Sequence, residues 1–308
     1  METTKTSIAR GHHYLSQSYL KGFTPLGTKE SQLTCLDFEK RKTFTPTPKN
    51  VGKERDFNRI DLDGFEPDYL ESQLSFFEDK ADQAIRNIEK TRKFQGDDRI
   101  LVLNLIALFA LRNPSRREHW NNLMDHTLKV ALSTAATNVG GTSNGILITE
   151  EFKQFVDEGK YQIKMPRQEH IDLELRTLDE IILSLVHRKW ALIEAPQDAA
   201  FVTCDRAVAL IWTEHGKYSH SPGFALHETQ VHFALSKRFA LVGSFEGVDE
   251  TVITSKEQVA LINSNILLQT HKRAYSPSEN FYFLNPTGDT LFGIEQFWKE
   301  FKHHSLLE

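Results

Sequence analysis

The most apolar stretch of the chain runs from Ile100 to Leu111 and is followed by Arg112-Asn113-Pro114. A helix that is apolar on every side is normally buried. The run is much shorter than the roughly 20 residues that cross a bilayer. It therefore predicts the central core helix of a soluble domain, which ends where Pro114 disfavours helical geometry at Asn113.

Periodic apolar positions predict helices on both sides of this core helix. Residues 65–95 carry one apolar stripe at helical spacing, made of Leu70, Leu74, Phe77, Ala81, Ala84 and Ile88. A further helix is expected from about Ser115 to Thr137, and two more over Glu150–Glu158 and Gln168–His187. These helices form the predicted α core.

After Lys189 the pattern changes to short runs rich in Val, Ile, Phe and Ala, which favour strands: WALIEA, AFVTCD, AVALIW, VHFALS and FALVGSF. A small hairpin is expected within residues 31–60, a helix with Ser255 as its N-cap over Ser255–Arg273, a strand over 279–284 and a last helix over 289–302. We therefore expect an α+β fold, with a helical N-terminal half packed on a mixed β-sheet C-terminal half.

A loop rich in Gly, Ser and Asn at residues 138–145 suggests a boundary or a mobile flap. The predicted division is a mainly helical region with a small β hairpin at residues 1–140 and an α+β region with a mixed sheet at residues 141–308. Such a division suits a chain of 308 residues.

Composition narrows the expected partners and compartment. The net charge is -5, so no global basic field attracts nucleic acid. The two cysteines lie far apart and cannot build a disulfide framework. With no signal-peptide pattern and no membrane-spanning stretch, we expect a cytoplasmic protein with no membrane partner. GxGxxG, GxxxxGK[ST] and GxSxG are absent, which argues against P-loop and α/β-hydrolase chemistry.

The first candidate chemistry lies in His12 and His13, which precede a short helix predicted within residues 11–23. At the N-terminal end of a helix the dipole disfavours an added positive charge, so a histidine there would stay neutral, as a base or ligand must. Solvent-facing loop residues are the alternative interpretation.

Asp205 and an arginine cluster supply further candidates. Asp205 follows a short apolar strand, where it could act in catalysis or bind a metal such as Mg²⁺, or simply end the strand in a turn.

Arg112, Arg116 and Arg117 could bind phosphate through their guanidinium groups, or form an exposed helix start paired with acids. Arg112-Asn113 followed by a histidine six residues on also resembles the motif of HEPN-type ribonucleases, although Pro114 interrupts it.

The order of motifs resembles the uncharacterised bacterial family catalogued as domain of unknown function 4238. The family opens with His-His-Tyr followed by Tyr-Leu and Phe, which corresponds to His12, His13, Tyr14, Tyr19, Leu20 and Phe23. A Glu-x-Asp-Phe segment follows, matched by Glu54, Asp56 and Phe57, and then Arg-x-Pro with a nearby Arg, matched by Arg112, Pro114 and Arg116 or Arg117. The last motif is an Asp turn before a Leu-Ser strand, matched by Asp205, Leu235 and Ser236. The turn keeps only its Asp from a Ser-Asp-Asn-Pro pattern, and Asn58 stands where the pattern has Tyr. The resemblance implies a stand-alone bacterial effector, with toxin or phage-defence roles by association, and adds Tyr14 and Glu54 as candidate substrate-binding residues.

Together these features predict a nuclease-like effector acting on nucleic acid. His12 or His13 would act as the base or a ligand, Arg112 and Arg116 or Arg117 would hold phosphate, and Asp205 would orient the histidine or bind the metal. The alternatives are a non-catalytic binding or sensing partner of a defence or toxin system, and an enzyme acting on a nucleotide such as NAD.

Overall fold

The architecture is α+β, as expected from the sequence. The structure is a computed structural model that describes residues 10–214 and 216–301. Its helices are α1 (Gln17–Leu20), α2 (Tyr69–Thr91), α3 (Gly96–Leu111), α4 (Pro114–Ala136), α5 (Glu150–Glu158), α6 (Arg167–Val186), α7 (Lys256–Leu267) and α8 (Ile294–Glu300). In the part of the chain described, none of the helices is long and apolar enough to span a bilayer.

Fifteen strands accompany these helices in the described residues. They are β1 (Gly11–His13), β2 (Thr34–Asp37), β3 (Lys42–Phe44), β4 (Lys53–Arg55), β5 (Thr142–Ser143), β6 (Ile146–Leu147), β7 (Lys189–Glu194), β8 (Thr203–Cys204), β9 (Val208–Trp212), β10 (Thr229–Ala234), β11 (Phe239–Ser244), β12 (Glu250–Ile253), β13 (Arg273–Ser276), β14 (Tyr282–Leu284) and β15 (Thr290–Phe292).

The chain forms two compact units: Met1–Asn113 with Glu174–Glu308, and Pro114–Leu173. The second unit contains α4, α5 and the β5–β6 hairpin. The Gly-rich loop at residues 138–145 lies inside this second unit, and so does the predicted boundary at residue 140.

Two sheets organise the first unit. One has the strand order β12-β7-β11-β10-β9, with only β12 and β7 parallel. The other has the order β3-β2-β13-β8, and it combines strands from near both ends of the chain. The C-terminal half therefore holds the larger sheet, but the N-terminal half supplies strands as well as helices.

Much of helix α3 lies in the core of this unit, in line with its apolar run, although Ile100 is exposed. Its buried side chains belong to one large core: Val102, Leu103, Leu105, Ile106, Ala107 and Phe109. Each fully buried Leu, Ile or Phe contributes about 1.5–3 kcal/mol relative to an exposed one. The helix ends at Leu111 with Arg112 as its C-cap, two residues before Pro114.

Three local predictions were wrong. His12 and His13 lie in β1 rather than at a helix N-terminus, because β1 pairs with β4; α1 begins later, capped by Ser16. The helix expected over Ser255–Arg273 ends at Leu267, and Arg273 opens β13. The first residues of the expected last helix form β15 instead.

Candidate functional site

The candidate site surrounds the two-stranded ribbon of β1 and β4. These antiparallel strands place His12 opposite Glu54 and His13 opposite Lys53. Because successive side chains of a strand point to opposite faces, the two histidines have different surroundings. His12 is buried, and its Nδ1 accepts a hydrogen bond of 2.9 Å from the backbone N–H of Asn58. His12 therefore fixes the chain that follows β4.

His13 connects the ribbon to two helices through its backbone. Its N–H donates to Glu71 Oε1 of α2 at 3.2 Å, and its carbonyl accepts from Arg112 Nη2 at 2.9 Å. Asn58 reinforces this link, since its Nδ2 donates to Glu71 Oε2 at 2.5 Å and to the His13 carbonyl at 3.4 Å. The His13 backbone thus supports the structure and leaves the imidazole available for chemistry.

The His13 imidazole is held in its neutral form. Burial lowers its pKa below the ordinary 6.5, against the opposing effect of Glu71, and the positive charge of Lys53 lowers it further. The ring also forms a hydrogen bond with the Lys49 backbone, whereas Nε2 is buried and has no hydrogen-bond partner in the described residues. Because the other nitrogen donates to that backbone, Nε2 carries the lone pair and can accept a proton.

Arg112 is buried beside a carboxylate. Its Nη2 lies 3.2 Å from Glu78 Oε1, and both side chains are less than 10% exposed. Burial raises the pKa of Glu78 to about 7, although the Arg112 charge opposes this rise. Glu71 and Glu78 are seven residues apart on α2, so they project from the same face of the helix.

The cluster contains polar atoms that the described chain leaves unpaired. Arg112 Nε and Nη1, Asn58 Oδ1 and His13 Nε2 are all buried without a hydrogen-bond partner among the described residues. Buried polar groups are nearly always paired, so such a group indicates strain, a bound water or ion, or a functional role. In this cluster, the Arg112 cation has N–H donors without an acceptor, and the neutral imidazole of His13 has an acceptor nitrogen without a donor.

Tyr14 directly follows the ribbon and lies within electrostatic range of Asp205 and Glu54. The Tyr14 side chain is buried, and burial raises the pKa of its hydroxyl, with further contributions from the carboxylates of Asp205 and Glu54. Tyr14 is therefore a neutral phenol close to two predicted site residues. Its backbone N–H donates to the carbonyl of Gly52 at 2.9 Å, which fixes its position just after β1.

The carboxylate of Asp205 accepts three backbone hydrogen bonds from the segment that leads into β13. Its Oδ1 accepts from the His271 N–H at 2.9 Å, and its Oδ2 accepts from the N–H groups of Lys272 and Arg273 at 2.6 and 2.9 Å. Burial raises its pKa, and these three backbone bonds act in the opposite direction. No cluster of three or more candidate metal ligands occurs among residues 10–214 and 216–301. The geometry thus gives Asp205 a structural role before β13, and its metal role stays a prediction.

An open, basic cleft of about 390 Å³ lies along the ribbon, lined by Arg10, Gly11, Lys53, Glu54 and Arg55. The Arg10 guanidinium bonds to the Asp56 carboxylate, which holds the pKa of that carboxyl below its usual range. Lys53 and Arg55 are exposed and supply the other cations of the cleft; Arg55 Nε lies 3.6 Å from Asp56 Oδ2.

The predicted arginine cluster is divided between the two units. Arg112 belongs to the first unit, whereas Arg116 and Arg117 belong to α4 in the second. Within that unit, burial lowers the pKa of His170 to about 4, and the Arg117 charge contributes to the shift. His170 Nε2 lies 3.2 Å from Asn121 Oδ1. A phosphate-binding role for Arg116 and Arg117 stays a prediction.

The comparison with protein families gives a match over most of the chain. A family model described as "Protein of unknown function (DUF4238)" matches residues 11–280. The chain belongs to this family. Comparisons with curated proteins and with solved structures gave no match. The matched range of the family contains every predicted site residue, from His12 to Asp205.

Sequence reasoning missed three members of the cluster: Asn58, Glu71 and Glu78. Glu78 carried a usable signal, because it lies four residues after Leu74 and three before Ala81, on the apolar stripe of α2. An acid on a buried stripe needs a cation, and Arg112 is that partner. Asn58 and Glu71 gave no comparable signal, since their role depends on the β1–β4 pairing.

Proposed function

We propose that this chain is a nuclease-like enzyme that cleaves a nucleic-acid phosphodiester at the cluster of His13 and Arg112. One observation carries the proposal. Among the described residues, a neutral imidazole with an unpartnered Nε2 shares a buried cluster with an arginine whose Nε and Nη1 are both unpartnered. A proton acceptor beside a preorganised cation is the combination that metal-free phosphoryl transfer needs.

The chemistry follows from these two groups. His13 Nε2 takes a proton from the attacking hydroxyl, whose oxygen forms a bond to phosphorus while the bond to the leaving oxygen breaks. Arg112 Nε and Nη1 donate to the non-bridging oxygens and stabilise their developing charge. The leaving oxygen then receives a proton, which returns His13 to its neutral form. Lys53 and Arg55 guide the phosphate backbone along the cleft.

Access requires the ribbon to open. His13 Nε2 and the Arg112 nitrogens are buried, and the nearby basic cleft is formed largely by β1 and β4. A two-stranded ribbon is marginally stable by itself, so its separation costs less than the opening of a larger sheet. Binding of a polyanion by the cleft offsets that cost and exposes the cluster.

The test compares His13→Gln with His187→Gln, which changes an exposed histidine outside the cluster. The substitution at His13 leaves its backbone bonds to Glu71 and Arg112 in place and removes the base, together with the hydrogen bond of the ring to the Lys49 backbone. Purified proteins are incubated with RNA, single-stranded DNA and double-stranded DNA, with Mg²⁺, with Mn²⁺ and with EDTA. We expect His13→Gln to lower the cleavage rate about 10²–10⁴-fold and His187→Gln to leave it unchanged.

Equal cleavage by wild type and a folded His13→Gln variant contradicts the proposal. Activity that EDTA abolishes assigns the chemistry to a metal such as Mg²⁺ instead of the imidazole. We also propose that the protein is a bacterial effector in phage defence or toxicity, which growth assays would test. Its proposed cytoplasmic location would be tested by cell fractionation.

A second candidate is a non-catalytic binding or sensing protein that partners a defence or toxin system. The observation that favours it is the burial of the Arg112–Glu78 pair, which suits a structural network better than a solvent-accessible centre. Cleavage assays beside thermal melts separate the two proposals. If the protein only binds or senses, Arg112→Lys lowers Tm, and neither wild type nor any folded variant consumes substrate.

A further inference from the structure

A second cavity lies far along the chain from the ribbon, where α7, β14 and α8 meet. Its volume is about 380 Å³, within the range of sites for small molecules. The side chains of Leu261 and Leu268 are partly exposed at α7, while Phe297 is buried and Phe301 half-buried on the opposite side. No charged side chain lines the cavity among the described residues.

Asn265 is the polar residue that distinguishes this cavity from an apolar groove. It lines the cavity and is only 4% exposed. Its Nδ2 lies 3.3 Å from His232 Nδ1, and His232 Nε2 lies 3.3 Å from Gln230 Oε1. Burial lowers the pKa of His232 to about 4, so its ring is neutral.

These contacts determine which group donates and which accepts in each hydrogen bond. His232 donates from Nε2 to Gln230 Oε1, so its Nδ1 accepts from the amide of Asn265. The Asn265 Nδ2 is therefore committed, and its Oδ1 has no hydrogen-bond partner in the described part of the chain. The cavity thus offers an acceptor on a largely buried side chain, to which a ligand can donate.

The neighbouring Ser264 complements this acceptor. Its Oγ accepts from the backbone N–H of Leu284 at 2.7 Å, and the structure assigns its own O–H no acceptor within the described residues. Ser264 also lines the cavity. The walls accordingly offer one acceptor and one donor in otherwise apolar surroundings.

We propose that this cavity binds a neutral, largely apolar molecule that carries a hydroxyl group, such as an aromatic or aliphatic alcohol. The hydroxyl donates to Asn265 Oδ1 and accepts from Ser264, while the apolar body packs against the leucines and phenylalanines. Anionic and cationic ligands are disfavoured because no opposite charge compensates their desolvation. This site is separate from the ribbon cluster and does not depend on the proposed nuclease activity.

The experiment titrates the full chain at pH 7 with 4-propylphenol, propylbenzene and 4-propylbenzoate, followed by calorimetry and by NMR of labelled leucine methyl groups. The three probes share one apolar body and differ in the hydroxyl and the charge. We expect 4-propylphenol to bind about twofold to tenfold tighter than propylbenzene, as one neutral hydrogen bond provides, and 4-propylbenzoate to bind weakest. Chemical shifts should change at Leu261 and Leu268.

Two variants locate the binding. Leu268→Trp fills the mouth of the cavity at a partly exposed position and should weaken both neutral probes at least tenfold, whereas Leu26→Trp, at an exposed loop position, is the matched control. Asn265→Leu should reduce the preference for the phenol to about onefold. The proposal is overturned if 4-propylphenol does not bind, if Leu268→Trp binds it as wild type does, or if 4-propylbenzoate binds equally well.

Discussion

The residue scale is dominated by the Arg112–Glu78 pair. Arg112 caps α3, bonds to the His13 carbonyl and meets Glu78, so one guanidinium joins the core helix, the ribbon and α2. A buried pair of this kind contributes little compared with an apolar pair, but the loss of one partner leaves an uncompensated charge. Its protonation should therefore be visible in the stability of the protein.

We predict that Glu78→Gln removes a pH dependence of stability. The folded-state pKa of Glu78, about 7, exceeds the ordinary 4.5. Its protonation therefore stabilises the fold fully below pH 4.5, and this contribution is lost as the pH rises towards 7. The unfolding free energy of wild type should fall relative to Glu78→Gln between pH 5 and 8, by at most about 3 kcal/mol.

Urea unfolding at several pH values measures this difference. Glu151→Gln serves as the control, because it changes an exposed acid in α5. The prediction is wrong if the unfolding free energies of wild type and Glu78→Gln change in parallel between pH 5 and 8, since burial would then not raise the pKa of Glu78.

At the scale of elements, Asp205 joins two strands that are far apart in sequence. It follows β8, and its carboxylate accepts the backbone N–H groups that lead into β13. A pattern of strand followed by Asp predicts a turn or a catalytic group equally well. Three backbone N–H groups donate to this carboxylate, and they lie more than 60 residues away in sequence. Only the folded structure can therefore show that the carboxylate is occupied.

We predict that Asp205→Asn destabilises the fold without removing the chemistry. The new amide NH₂ would face backbone donors, and an unsatisfied buried donor costs about 1–3 kcal/mol. Tm should therefore fall, while the cleavage rate per folded molecule should stay within twofold of wild type. A variant that melts like wild type but has lost activity would identify Asp205 as a catalytic group or metal ligand.

At the scale of the whole molecule, the first unit joins distant parts of the chain. In the four-stranded sheet, β13 lies between β2 and β8, and Cys35 of β2 pairs in register with Tyr275 of β13. Pairing of strands that are far apart in sequence cannot be deduced from their local patterns. The N-terminal part of the first unit therefore depends on segments near the C-terminus.

We predict that residues 1–140 do not fold as an independent domain. Without β13, the buried side chains of Cys35 and Leu36 lose their neighbouring strand, and α3 loses its contacts with β9. The fragment should give a poorly dispersed NMR spectrum and no cooperative melt, beside the full chain as the control. A well-dispersed spectrum and a cooperative transition would support the division at residue 140.

The sequence by itself determined the elements whose signals are local. The apolar run of α3, the stripe of α2 and the Ser255 cap of α7 are confirmed, since helices form through contacts three or four residues apart. The order of motifs was enough to indicate the family. The sequence also named His13 and Arg112, but together with His12, Asp205 and other candidates, and their roles stay predictions. Only the tertiary structure decided that β1 pairs with β4, that Glu78 meets Arg112, and that Asp205 holds a turn. Each of these depends on partners distant in sequence, whose meeting is set by packing and register, and local propensity does not encode either.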